Sequence, residues 1–97
     1  MTRLVSVVKS DKPDKKYVAT FETDGRTKKT HFGAKGYVDY TMPPHSKERR
    51  DAYRTRHQKD LTTRDPTRAG YLSYNLLWGN STNFKDNLAD YRRKYGL

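Results

Sequence analysis

The chain has no cysteine and no isoleucine, and little of any aliphatic residue. Without cysteine there is no disulfide to support a small core and no thiolate metal site. The redox compartment stays open, because a cysteine-free chain tolerates either. No apolar run approaches the roughly 18 residues needed to cross a bilayer. The opening stretch MTRLVSVVKSDK is too short and too charged for a secretory signal. Only two glutamates and nine aspartates oppose 21 basic residues, leaving a net charge of +10. That imbalance attracts nucleic acid, acidic protein surfaces or anionic membranes, without choosing among them.

What is present is aromatic and basic. Eight tyrosines, three phenylalanines and one tryptophan supply much of the apolar bulk in a chain that is 32% hydrophobic. Tyrosine packs its ring and leaves its hydroxyl at a wet boundary, which suits a thin core or an interface. Ninety-seven residues are consistent with one domain, 1–97, burying about 60–65% of the surface of its unfolded chain.

The stretch from His31 to His57 divides the chain into a sheet-forming part, 1–41, and a helical part, 45–97. Residues 3 to 9, RLVSVVK, predict a strand with imperfect alternation, so that both faces are partly covered. In residues 16 to 22, Tyr17, Ala19 and Phe21 share one face. Asp24-Gly25 then signals a tight hairpin into RTKKTHF. GYVDYT is a fourth short strand or an extended arm, with Asp39 placed to pair with a nearby arginine. Pro43 and Pro44 hold the following residues extended until His45 or Ser46 caps a helix.

That helix, 46 to 58, has only Ala52 and Tyr53 as clearly apolar residues, so it lies on a surface. Arg49, Tyr53 and Arg56 or His57 share one side, with Arg50 and Arg54 on an adjacent one. A linker at 59–65 with Leu61 as its buried anchor leads to a helix started by Asp65 and Pro66. The last helix begins at Ser81 or Thr82 and carries the stripe Phe84, Leu88, Tyr91 and Tyr95. The expected fold is therefore α+β: a small antiparallel sheet of three or four strands followed by three short helices.

No catalytic signature emerges. GAKG at 33–36 lacks the spacing of a phosphate loop or a dinucleotide fingerprint. His31, His45 and His57 are widely spaced, and nothing in their order argues for a metal. No serine stands in an elbow motif. No cofactor is expected, and the chain reads as non-enzymatic. The candidate contact residues are basic and aromatic. Lys28 and Lys29, with Lys15 and Lys16, line a strand face and its end. Arg49, Arg50, Arg54 and Arg56 pair with acidic loops or phosphates, and Tyr37, Tyr40, Tyr53, Tyr71 and Trp78 serve as amphipathic contacts.

The phrases KYVATFETDGRTKKTHFGAKGYVDYT, RRDAYRTRH and DPTRAGYLSYNLLWG together resemble a family of small basic proteins of large double-stranded DNA viruses of algae and amoebae. These are the chlorella viruses and their relatives. The resemblance implies no activity and no catalytic residues. It implies a virion component, either a minor capsid protein or a DNA-associated internal protein. The expected function is accordingly that of a non-enzymatic structural protein within an assembly, a virus particle first, whose partners are other proteins of that assembly. Outside a particle, an intracellular protein is expected. The alternative function is nucleic-acid binding through the basic helix, by phosphate contact without strong sequence specificity.

Overall fold

A computed structural model describes all 97 residues. Strands β1 (Thr2–Lys9), β2 (Lys15–Thr23) and β3 (Arg26–Ala34) form one antiparallel sheet in chain order. Thr23 faces Arg26 across the β2–β3 turn, with Asp24 at φ 50° and Gly25 at φ 82°. Both central residues are left-handed, the geometry of the two-residue turn that Asp-Gly favours.

The imperfect alternation of β1 has a specific cause. Its pairing with β2 shifts between Leu4 and Ser6, so Leu4 faces Phe21 and Val7 faces Ala19. The bulge lets two apolar residues three apart reach the same face and leaves Val5 45% exposed. At the bulge, the Arg92 guanidinium donates to the Leu4 carbonyl at 2.7 Å. This ties the last helix to the first strand.

Three helices follow the sheet: α1 (Lys47–His57), α2 (Ala69–Leu72) and α3 (Phe84–Tyr95). The Ser46 hydroxyl caps α1 by accepting from the Arg49 N–H at 3.1 Å. The expected linker after α1 is a 3-10 turn, Gln58–Thr63. Leu61 is half-buried there, and its carbonyl accepts from the Tyr71 hydroxyl at 2.6 Å.

Helix α2 starts later than Asp65-Pro66 suggests. The Asp65 carboxylate accepts from the Thr67 N–H at 3.0 Å and the Thr67 hydroxyl at 2.6 Å. It thus closes a local turn instead of capping. Pro66 lies outside the helix, and its carbonyl accepts from the Tyr91 hydroxyl. α2 runs directly into a π-helical turn, Ser73–Leu77, closed by Trp78 N–H donating to the Ser73 carbonyl at 3.1 Å. Leu72, Leu76 and Leu77 are all buried.

Helix α3 begins beyond Ser81 and Thr82. The Asn83 side chain caps it, accepting from the N–H groups of Lys85 (2.9 Å) and Asp86 (3.2 Å). The core combines Leu4, Ala19, Phe21 and Phe32 of the sheet with Leu72, Leu76, Leu77 and Tyr91 of the helices. Phe84, Leu88 and Tyr95 pack against its edge, and Tyr17 stacks on both Phe32 and Phe84.

No fourth strand forms at 37–41. The Asp39 carboxylate accepts from the Thr41 N–H at 2.8 Å, and Met42 N–H donates back to the Asp39 carbonyl at 3.1 Å. Main-chain groups committed to such local turns have none left for a sheet ladder. Nor is the segment after the cis Pro43–Pro44 bond extended, because His45 has φ 52° and its N–H donates to the Met42 carbonyl at 2.8 Å.

Candidate functional site

Helix α1 has no buried residue, so something other than an aliphatic stripe holds it. Its anchor is a stack of rings. Tyr53 lies between His57 (centroids 4.1 Å apart, 21°) and Trp78 (4.7 Å, 11°). Two arginines add to the anchor. Arg50 sits over the Tyr40 ring at 5.0 Å and bonds Asp51 at 3.0 Å. Arg54 sits over Tyr74 at 5.0 Å and donates to Asn80 Oδ1 at 3.1 Å.

The four arginines of the sequence reading therefore divide. Arg50 and Arg54 face inward and hold the helix. Arg49 and Arg56 are exposed and line a cleft of about 640 Å³ between α1, the end of β3 and the π-turn. Leu77 and Trp78 line its inner side with Gly33. Gly33 has φ 82°, and a Cβ there would lie 2.9 Å from Leu77 Cδ1. Glycine at 33 thus permits both the bend and the close approach.

The loop bearing Tyr37 is pinned by an ion pair. Lys16 Nζ donates to Asp39 Oδ2 at 2.6 Å, with side chains 13% and 3% exposed. The expected arginine partner of Asp39 is thus replaced by a lysine of β2, the strand directly beneath the loop. Lys16 consequently leaves the basic strand patch proposed for it. Tyr37 stands on the cleft rim with 72% of its surface exposed.

The aromatic candidates separate in the same way. Both faces of Tyr53 are covered, Arg50 covers Tyr40, and Trp78 is half-buried under the stack. Tyr71 is a core residue, 5% exposed, which removes it from the contact set. Tyr37 alone keeps a ring open to solvent. Burial raises the pKa of Tyr53, reinforced by the charge of Asp60 and partly offset by the Ser73 hydroxyl and Arg56. Tyr17 is raised by burial and then by Asp39.

Lys28 and Lys29 lie in a second cleft of about 630 Å³, with Lys12, Lys15 and Arg68. Alternation puts the two lysines on opposite sides of β3. Both stay exposed and line the cleft along the sheet edge, and Lys28, on the helical side, donates to the Thr67 hydroxyl at 2.9 Å. Asp60 is its one acidic lining residue. Hydrogen bonds from Thr67 hold the neighbouring Asp65 carboxyl below the usual carboxylate range.

One arrangement resembles a nucleophile and base: Ser10 Oγ lies 2.6 Å from His31 Nδ1. Ser10 Oγ also accepts from the Lys12 N–H at 3.0 Å, and no carboxylate bonds His31. The pair lacks the orienting third group of a triad and closes the β1–β2 turn onto β3.

Fold and clefts together define a small α+β protein with one basic, aromatic-edged side. The chain belongs to the family described as "Family of unknown function (DUF5754)", which matches residues 5–57. The match runs from the β1 bulge to the last residue of α1. It takes in Tyr37, Asp39, Arg49, Tyr53 and Arg56, and stops short of Trp78. No curated protein and no solved structure matches the chain.

Proposed function

We propose that the protein is a non-enzymatic nucleic-acid-binding protein that contacts the phosphate backbone without strong sequence specificity. The observation that carries this reading is the placement of Arg49 and Arg56, exposed and on the same cleft lip, beside the exposed Tyr37 ring. Seven helical residues separate the two guanidinium-bearing positions by about 10 Å. That spacing lets the two side chains reach different phosphates of one strand. The +10 net charge supports non-specific attraction over longer range. Filter binding at low salt with DNA and RNA tests the reading: retention of either is expected, and retention of neither rules it out.

A structural role within an assembly such as a virus particle is the second reading. Exposed apolar side chains favour it: Val5 and Val8 on β1, and Val38 and Met42 beside Tyr37. Quantitative mass spectrometry of purified particles, with and without genome, tests this role. Stoichiometric presence in empty shells supports it, and absence from particles ends it.

A further inference from the structure

Resting on the nucleic-acid reading, we infer that the ligand is a single strand, with an unpaired base stacked on Tyr37 and its neighbouring phosphates held along β3. The two clefts adjoin each other. Gly33 and Ala34 line the first, and Lys28, Lys29, Thr30 and His31 line the second. Strand rise puts Lys29 and Gly33 about 13 Å apart. His57 borders the first cleft and Asp60 the second, and their side chains meet at 3.1 Å. The clefts are thus two halves of one track separated by a side-chain bridge.

The track is nearly single-signed. Arg49 and Arg56 serve one half, and Lys12, Lys15, Lys28, Lys29 and Arg68 the other. The acids along it are all partnered: Asp39 with Lys16, Asp60 with His57, and Asp65, beside the second half, with Arg68 at 3.6 Å.

Tyr37 distinguishes single from double strands. Its ring has no aromatic or cationic partner and stands 72% exposed at the cleft rim. The Lys16–Asp39 ion pair anchors its loop, so the ring is presented from a fixed base. In a duplex the base faces are occupied by their neighbours, and an exposed ring meets only sugar and phosphate. In a single strand a base face is free, and stacking on an aromatic ring tolerates any sequence. The span of β3 between the clefts plus the lip of α1 accommodates about five nucleotides, at the short end of single-strand site sizes.

The test is fluorescence polarisation of labelled oligothymidylates of graded length, with a duplex of matched length for comparison. Affinity is expected to climb with length, level off near five nucleotides and favour the single strand. Tyr37→Ala should weaken single-strand binding by between about fivefold and 150-fold, with the salt dependence unchanged. Tyr37→Phe should preserve it. Replacing the exposed Lys12 and Lys29 with glutamine should weaken long oligonucleotides, lower their salt dependence and leave dinucleotides unaffected. Equal affinity for duplex, or wild-type affinity in Tyr37→Ala, overturns the single-strand inference while leaving backbone binding in place. Binding of neither nucleic-acid form removes the functional reading itself. Polyglutamate bound as tightly as the oligonucleotide overturns the inference in favour of an acidic protein partner.

Discussion

Asn87 lies in α3, yet it controls the shape of the cleft. It is 2% exposed, and its carboxamide is fully used. The amide nitrogen donates to the carbonyls of Leu76 (3.1 Å) and Ser81 (2.8 Å), while Oδ1 accepts from the Ser81 N–H (3.0 Å). This clasp closes the turn after the π-helical segment, and the turn carries Trp78 and Asn80. Trp78 supports the Tyr53 stack, and Asn80 receives Arg54. Asn87→Ala removes three hydrogen bonds. The Leu76 carbonyl is left without its partner in a buried place, while the Ser81 groups regain water in part. An unsatisfied buried group costs about 1–3 kcal/mol, and each lost neutral hydrogen bond about 1 kcal/mol. The expected loss is about 2–4 kcal/mol, a large fraction of the roughly 5–15 kcal/mol typical of a domain. Urea unfolding followed by the fluorescence of Trp78, the one tryptophan, measures it directly. Asn87→Asp keeps the shape and loses both amide donations, so it should fall close to the alanine variant. A change below about 0.5 kcal/mol in both variants refutes the clasp.

Three further outcomes follow from the packing. Gly33→Ala introduces a side chain at φ 82° and 2.9 Å from Leu77 Cδ1, and should cost about 2 kcal/mol or more in the same urea assay; an unchanged midpoint contradicts the close approach. Asp39→Ala strands the Lys16 ammonium and should cost about 3–5 kcal/mol, whereas an apolar replacement of both partners should recover most of it. Burial raises the pKa of Tyr17, Tyr53 and Tyr91. The stabilisation this represents is complete below the unfolded tyrosine value near 10 and is lost as pH rises through the higher folded values. Tyrosinate absorbance should therefore show a component that appears only with alkaline unfolding. Full ionisation of all eight tyrosines before the circular dichroism changes would contradict it.

Periodic and turn-forming features are legible in the sequence, whereas local side-chain turns that compete with strand and cap, and contacts made across the fold, are not. The Asp24-Gly25 hairpin and the Phe84/Leu88/Tyr91/Tyr95 stripe need only turn chemistry and helical period, and both are present. The segment 37–45 departs from the expected strand because Asp39 engages Thr41 and Met42 in local turns, and Lys16, 23 residues away, pins its carboxylate. Lys16, in a strand otherwise rich in apolar residues, was the available signal. Asp65-Pro66 has the chemistry of a helix start, but Thr67 claims the carboxylate and Tyr91 the proline carbonyl. Asn87 shares the helical face of Phe84, Leu88 and Tyr91, and a polar residue at such a position marks a buried hydrogen-bonding role. Helical spacing sorts the four arginines into Arg49 with Arg56 and Arg50 with Arg54, but does not say which pair faces inward. That depends on Tyr40, Tyr74 and Asn80, which only tertiary structure brings to α1.

The division of the arginines gives the most direct test of nucleic-acid binding: the salt dependence of affinity for a single-stranded oligonucleotide in two paired variants. For single strands the slope of log K against log salt is about −0.7 per phosphate neutralised. Arg49→Gln with Arg56→Gln should make the slope shallower by about 1.4 while stability stays near wild type. Arg50→Gln with Arg54→Gln should leave the slope nearly unchanged and lower stability, because those side chains hold α1 in place. If the outward pair leaves the slope untouched, or the two pairs change it equally, the cleft lip is not the phosphate contact and the account fails.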